Sequence, residues 1–390
     1  MGYGAATEVG PLRVEKGGAA LRFNNYSWNR EANLLFLESP VGVGFSYTNT
    51  SSDLAAIDDN FVAQDSYNFL ANWFQRFPQF KNHDFFIAGE SYAGHYVPQL
   101  AEIIFDRNKD KKKYSYINLK GFIVGNPSMD NYNDNKGYLD YAWSHAVISD
   151  ELYHEAKRAC NFASSTWSNE CIEVMTNISN AYKEIEDLNL YAPKCLMNYP
   201  SSSPSSSATR THHMQLNSRL TNKRNIAAHA KEEKSKQIPG SFATCYSTYV
   251  DEYFNKIEVQ KAFSVLNEVK WNACNYELLN AYNLSIISVL PVYEKLIKAG
   301  LKIWIYSGDL DGNVPVIGTR YCIDALKLSL KSQWRVWFHN HQVGGRVIEY
   351  NGLTFVTVRG AGHLVPLDKP SEALAIIHSF LYGEELPRER

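Results

Sequence analysis

The chain predicts a doubly wound α/β fold, and three observations carry that prediction. Apolar runs of strand length at 85–88, 119–124, 301–308 and 353–360 alternate with stretches whose apolar residues recur at helical spacing. Several of these runs end at glycine, followed by a turn that carries polar, reactive side chains. The alternation lapses from 126 to about 250 and then resumes, as it would around an inserted piece. Strands that alternate with helices lie parallel, and sites on such sheets form at the carboxyl ends of the strands.

In chain order, MGYGAATEVGPLRV opens on Gly and Ala turn signals with no strand before them, so the chain reads as starting mid-domain with N-terminal strands missing. NLLFLE at 33–38 reads as a short buried strand, and SPVGVGFSY after it is loop chemistry. Residues 58–77 form a helix whose apolar face is Val62, Phe69, Leu70, Trp73 and Phe77, stopped by Pro78. Phe85, Phe86, Ile87 and Ala88 have the side chains of a buried parallel strand, and Val97, Leu100, Ala101 and Ile104 give the next helix its buried face. LKGFIV at 119–124 is the following strand.

From 126 to 250 the sequence is helical, polar and aromatic, and reads as a cap insertion between core segments 1–125 and 251–390. Within it, about 198–240 contains PSSSPSSS followed by a Lys, Arg and His-rich run, which predicts a mobile loop open to proteases. Strands at 301–308 and 353–360 restore the sheet, and a helix at 371–382 with Ala373, Leu374, Ile377, Phe380 and Leu381 inward closes the chain.

Composition limits the partners. A formal charge of −2 from 39 basic and 41 acidic residues gives no global field toward nucleic acid or an anionic membrane. The basic run in the cap lacks the aromatic interleaving of a single-strand binder. No run approaches the roughly 18 unbroken apolar residues of a membrane helix. No C-x-x-C or H-E-x-x-H spacing calls for a metal, and no cofactor is expected. Six cysteines and the sequons at Asn25, Asn49, Asn177 and Asn283 suit a secreted or vacuolar protein, although no signal peptide opens the chain.

The chemistry sits at three strand ends. FFIAGESYAG places Ser91 on a sharp strand-to-helix turn, where Gly89, Ala93 and Gly94 let the backbone fold tightly enough to expose the hydroxyl. GDLDGNVPV follows the strand at 301–308, and GAGHLVP follows the strand at 353–360. The order Ser, Asp, His is that of the α/β-hydrolase arrangement, in which the histidine takes the serine proton and the acid holds the imidazole tautomer. Asp311 is preferred to Asp309 as the acid because it lies further beyond the strand; Asp309 reads as a turn former.

GESYAGHYVP, FLESPVGVGFSY, YSGDLDGNVPV and VRGAGHLVP together resemble the plant serine carboxypeptidases, particularly their carboxypeptidase II branch, over nearly the whole chain. The resemblance implies an α/β-hydrolase fold with a mixed sheet and a helical cap, and a triad of Ser91, Asp311 and His363. It implies an oxyanion donor in the N–H of Tyr92, an acidic working pH, and peptide or protein C-termini as substrates. Glu8 and Glu90 match the two glutamates that bind the substrate's terminal carboxylate; of two close carboxyls one stays protonated and can donate to it. The resemblance supports disulfides Cys160–Cys171 and Cys195–Cys245 and leaves Cys274 and Cys322 as free thiols. The family's glycine-rich loop with a second oxyanion donor has no match here, so the chain as written is expected to be weakly active or inactive. Relatives include acyltransferases and hydroxynitrile lyases, and the surroundings of Trp143 and Trp167 resemble the lyase branch. A non-catalytic binding protein is the third reading, and a homodimer is compatible with a sequence that does not fix the oligomeric state.

Overall fold

The computed structural model describes residues 2–164, 166–195, 245–266 and 269–390. The loop expected at 198–240 lies outside the described residues. A small hairpin pairs β1 (Leu12–Val14) with β2 (Leu21–Phe23). The central sheet is built from β3 (Phe85–Glu90), β4 (Leu119–Gly125), β5 (Lys302–Gly308), β6 (Leu330–His339), β7 (Gln342–Tyr350) and β8 (Leu353–Val358). Its order is β3-β4-β5-β8-β7-β6; β3, β4, β5 and β8 run parallel, and β7 pairs antiparallel with both β8 and β6. The helices used below are α1 (Asp59–Arg76), α2 (Ala93–Arg107), α3 (Asn131–Ser144), α4 (Asp150–Ala159), α5 (Asn169–Ala181), α6 (Tyr246–Phe254), α7 (Leu290–Lys298), α8 (Val316–Ala325) and α9 (Pro370–Tyr382).

The period-two alternation of strand side chains sorts the core into two layers. Phe122 and Val124 of β4, Ile303 and Ile305 of β5, and Leu353 and Phe355 of β8 pack on one face against α2, α7 and α8. Ile123, Tyr306, Val356 and Val358 point to the other face, where Ala373, Ile376, Ile377 and Phe380 of α9 cover them. A slip of one residue in β4 would reverse both sets, at a cost of roughly 1.5–3 kcal/mol for each large side chain exposed.

Local chemistry starts and stops the helices. Asp58 caps α1 by accepting the Phe61 N–H at 2.8 Å, and the helix ends at Arg76, just before the Phe77-Pro78 pair. Its buried side chains include Val62, Ala63, Tyr67, Leu70 and Phe74, whereas Phe69, Trp73 and Phe77 of the expected face are half-buried. In α2, Pro98 lacks the N–H that would reach the carbonyl of Gly94; that carbonyl accepts the Tyr293 hydroxyl at 3.4 Å.

Two expectations are corrected. Segment 33–38 forms no strand, and Leu35 and Leu37 are 40% and 37% exposed. Among the described residues no neighbouring chain supplies the ladder that a strand requires. β3 is parallel as predicted but stands at the sheet's edge, half-buried, with Ala88 exposed. The β6–β7 hairpin was not predicted.

α3, α4 and α5 share a core that includes Tyr138, Tyr141, Met175, Ile178, Tyr182 and Leu190. The disulfide Cys160–Cys171 closes the connection between α4 and α5, and Cys195–Cys245 joins the end of this layer to α6. Cys274 and Cys322 are free thiols. α6 packs with Val14 and Trp271, so 245–250 associates with the N-terminal hairpin rather than with the α3–α5 layer. Among the described residues no helix is long and apolar enough to cross a membrane.

Candidate active site

Ser91 follows β3 directly and sits at φ 64°, the strained left-handed region that non-glycine residues rarely adopt. Backbone bonds on both sides hold it there. Its N–H donates to the Gly125 carbonyl at 2.9 Å, and its carbonyl accepts from Gly94 N–H at 2.9 Å and Ser128 N–H at 3.0 Å. The glycines are required by contact: a Cβ at Gly89 would lie 2.5 Å from Ala93 Cβ, and one at Gly94 would lie 2.2 Å from the Ser128 carbonyl.

Asp311 follows β5 and is fully buried. Its Oδ2 faces His363 Nδ1 at 2.7 Å and accepts Asn126 Nδ2 at 2.6 Å. Its Oδ1 accepts the N–H groups of Asn313 and Val314 at 2.8 and 3.0 Å. Asp309, by contrast, accepts the Gly360 N–H at 2.6 Å and closes the turn after β8. His363, 4% exposed, is therefore oriented through Nδ1, with Nε2 on the side away from Asp311. Burial pulls the imidazole pKa down, but the charge and hydrogen bond of Asp311, with Glu8 and Asp187 further off, outweigh it and leave the pKa raised. Among the described residues the Ser91 hydroxyl makes no hydrogen bond. Such contacts are often long in a free enzyme and tighten with substrate.

The backbone N–H of Tyr92 is likewise unpaired among the described residues. The Tyr92 ring is fixed on three sides. Its hydroxyl donates to Asp59 Oδ1 at 2.8 Å, its face lies 4.7 Å from the His95 ring at an interplanar angle of 3°, and its edge meets Tyr96.

Glu8 and Glu90 come together. Glu8 is buried at the end of the helical turn Gly4–Glu8, Glu90 is the last residue of β3, and their side chains are hydrogen-bonded. Burial pushes Glu8 up to about 7 against the bond from Glu90. Burial, and then the charge of Glu8, hold Glu90 well above the usual carboxyl range. Arg13 Nη2 donates to the carbonyls of Glu8 and Pro366, both at 2.8 Å, and ties this pair to the loop after His363.

The sequence reading missed Asn126, Asp59 and Arg13. Asn126 had a signal, the Gly-Asn at the end of the strand between those leading to Ser91 and Asp311, but nothing in the sequence says that its backbone turns to φ 43° and aims the amide at the acid. The asparagines of all four sequons are exposed. Among the described residues no cluster of His, Cys, Asp and Glu is arranged to hold a metal.

A mixed sheet whose parallel strands carry a left-handed serine after one, a buried acid after a second and its histidine after a third defines an α/β hydrolase. Comparison with known proteins narrows the class. The family description "Serine carboxypeptidase" matches residues 1–383, and the chain belongs to the serine carboxypeptidase family of hydrolases. Serine carboxypeptidase-like 33 of Arabidopsis thaliana is 58% identical over 99% of this chain and 79% of its own length. Serine carboxypeptidase-like 26 of Oryza sativa subsp. japonica is 55% identical over 100% of this chain and 79% of its own. The prohormone-processing carboxypeptidase Kex1 of Saccharomyces cerevisiae shares the fold, with a TM-score of 0.71 at 22% identity over 98% of this chain and 80% of that one.

Proposed function

We propose that the protein is a serine-type carboxypeptidase that removes C-terminal amino acids from peptides through an acyl-enzyme. The observation that carries this reading is the meeting of buried Glu8 with Glu90, two carboxyls whose pKa values are both raised and which Glu90 joins directly to Ser91. A neutral carboxyl donates a hydrogen bond where an ionised one repels, so the protonated pair suits an anionic chain end. With the terminus held there, the last peptide bond reaches Ser91.

Ser91 Oγ attacks the scissile carbonyl carbon as His363 Nε2 takes its proton, and the N–H of Tyr92 receives the oxyanion. The C–N bond breaks as His363 returns the proton to the leaving amine, which departs as the free amino acid. Water then attacks the Ser91 ester, His363 accepts its proton, and the acid product leaves as that proton returns to Ser91. Acyl transfer would follow the same course with an alcohol in place of water, but it has no use for a carboxylate-binding pair. Two disulfides and exposed sequons support an oxidising, secretory or vacuolar setting.

The test is product analysis with the full-length protein and its Ser91→Ala variant. Wild type is expected to release an amino acid from a blocked dipeptide and to be labelled by a fluorophosphonate, and the variant to do neither while keeping its fold. An ester from an acyl glucose, or cyanide from a cyanohydrin, with no amino acid released, would reject the peptidase reading.

A further inference from the structure

The ladder between β5 and β8 ends at Gly308 and Val358, and Asp311 and His363 both lie beyond it. A four-residue stretch of the inserted layer, 187–190, spans the two loops. Gly312 N–H donates to the Asp187 carbonyl at 2.9 Å, and His363 N–H to the Leu188 carbonyl at 2.6 Å. Leu190 N–H donates to the Leu310 carbonyl at 3.0 Å. The Asn189 side chain completes the set: Nδ2 donates to Asp368 Oδ2 at 2.9 Å, and the same oxygen accepts the Gly362 N–H at 2.7 Å.

The residues on both sides of Asp311, with His363 and the residue before it, are therefore tied directly or through Asp368 to one short piece of chain. The fit depends on glycine. A Cβ at Gly312 would lie 2.9 Å from the Asp187 carbonyl, and one at Gly362 2.1 Å from that of Leu188. Leu190 is buried with Tyr182 and Ile178, which anchors the stretch to the inserted layer.

We propose that 187–190 is a positioning strap, fastened by Asn189 to Asp368, that holds the acid loop and the base loop at their working separation. The inserted layer thus takes part in turnover by keeping Asp311 and His363 together. Asn189 and Asp368 are positioning residues, since they act through the loops and not on the reacting atoms. The proposal rests on the reading of Asp311 and His363 as the acid and base that serve Ser91. A hydrogen bond at 2.7 Å weakens steeply when one partner moves, so loosening the strap slows Ser91.

The experiment uses full-length protein and two readouts, the rate of fluorophosphonate labelling and the split between kcat and KM on a blocked dipeptide. Asn189→Ala is expected to lower both kcat and labelling rate about tenfold, as loss of a bond to a charged acceptor does, with KM unchanged within about twofold. Asn189→Asp, which sets two carboxylates face to face, is expected to fall further. A reactive wild type with an equally reactive Asn189→Ala overturns the strap alone, as does a folded Asn189→Ala whose loss falls on KM rather than on kcat and labelling. A wild type inert to the phosphonate overturns the reading of Ser91 and the strap with it.

Discussion

Both oxygens of Asp311 are fully engaged, and Asn126 supplies the bond that competes most directly with His363 for Oδ2. Asn126 also accepts the Gly308 N–H at 3.3 Å, so one side chain fixes both the acid and the end of its strand. Its replacement by alanine is expected to lower kcat about ten- to a hundredfold, the usual loss for a hydrogen bond to a buried charge, and to leave KM little changed. Steady-state kinetics on the two proteins decides this; an unchanged kcat would show that the backbone donors from Asn313 and Val314 suffice. Ser91, Asp311 and His363 were legible because each is announced by its own local motif at a strand end. Asn126 was not, because its contact spans 185 residues of chain and depends on a left-handed turn that asparagine adopts but does not advertise.

At the scale of elements, the elbow between β3 and α2 depends on close backbone approach. Gly94→Ala would drive a Cβ into the Ser128 carbonyl, so it is expected to destabilise the fold by about 1–3 kcal/mol and to abolish labelling of Ser91. Thermal melts beside labelling check this; a normally reactive, stable variant would mean that the elbow can open. The strand–helix alternation could be read from apolar periodicity, and most helix and strand limits of the core agree with it to within about a residue or two. The β6–β7 hairpin could not, because its two-residue turn is Asn340-His341, both at positive φ, rather than the Asn-Gly that signals such turns. Segment 33–38 failed in the opposite sense. Its sequence has strand character, but a strand is a property of a pair, and no described neighbour completes one.

For the whole molecule, the Glu8–Glu90 pair links stability and activity to pH. Burial raises the folded pKa of Glu8 from 4.5 to about 7, so its contribution to stability is complete below 4.5 and is lost as pH rises through 7. Glu90 shifts in the same direction. The melting temperature is therefore expected to fall from acid toward neutral pH, and the double variant Glu8→Gln, Glu90→Gln to flatten that slope; equal slopes would remove the pair from the pH response. Protonation of Glu8 in acid also removes one of the charges that raise the pKa of His363, which frees the imidazole to act as a base at lower pH. On the proposed function, these pH effects favour turnover in acid and a substrate with a free C-terminus.

The most direct measurement compares a blocked dipeptide with its C-terminal amide as substrates of the full-length protein from acid to neutral pH. The free acid is expected to be cleaved with release of its last amino acid, with KM rising as pH passes about 7. The amide, which lacks the anionic group, is expected to be poorer by about ten- to a hundredfold in kcat/KM. Equal cleavage of the two substrates, or a KM for the acid that ignores pH, would contradict recognition of a chain end by Glu8 and Glu90.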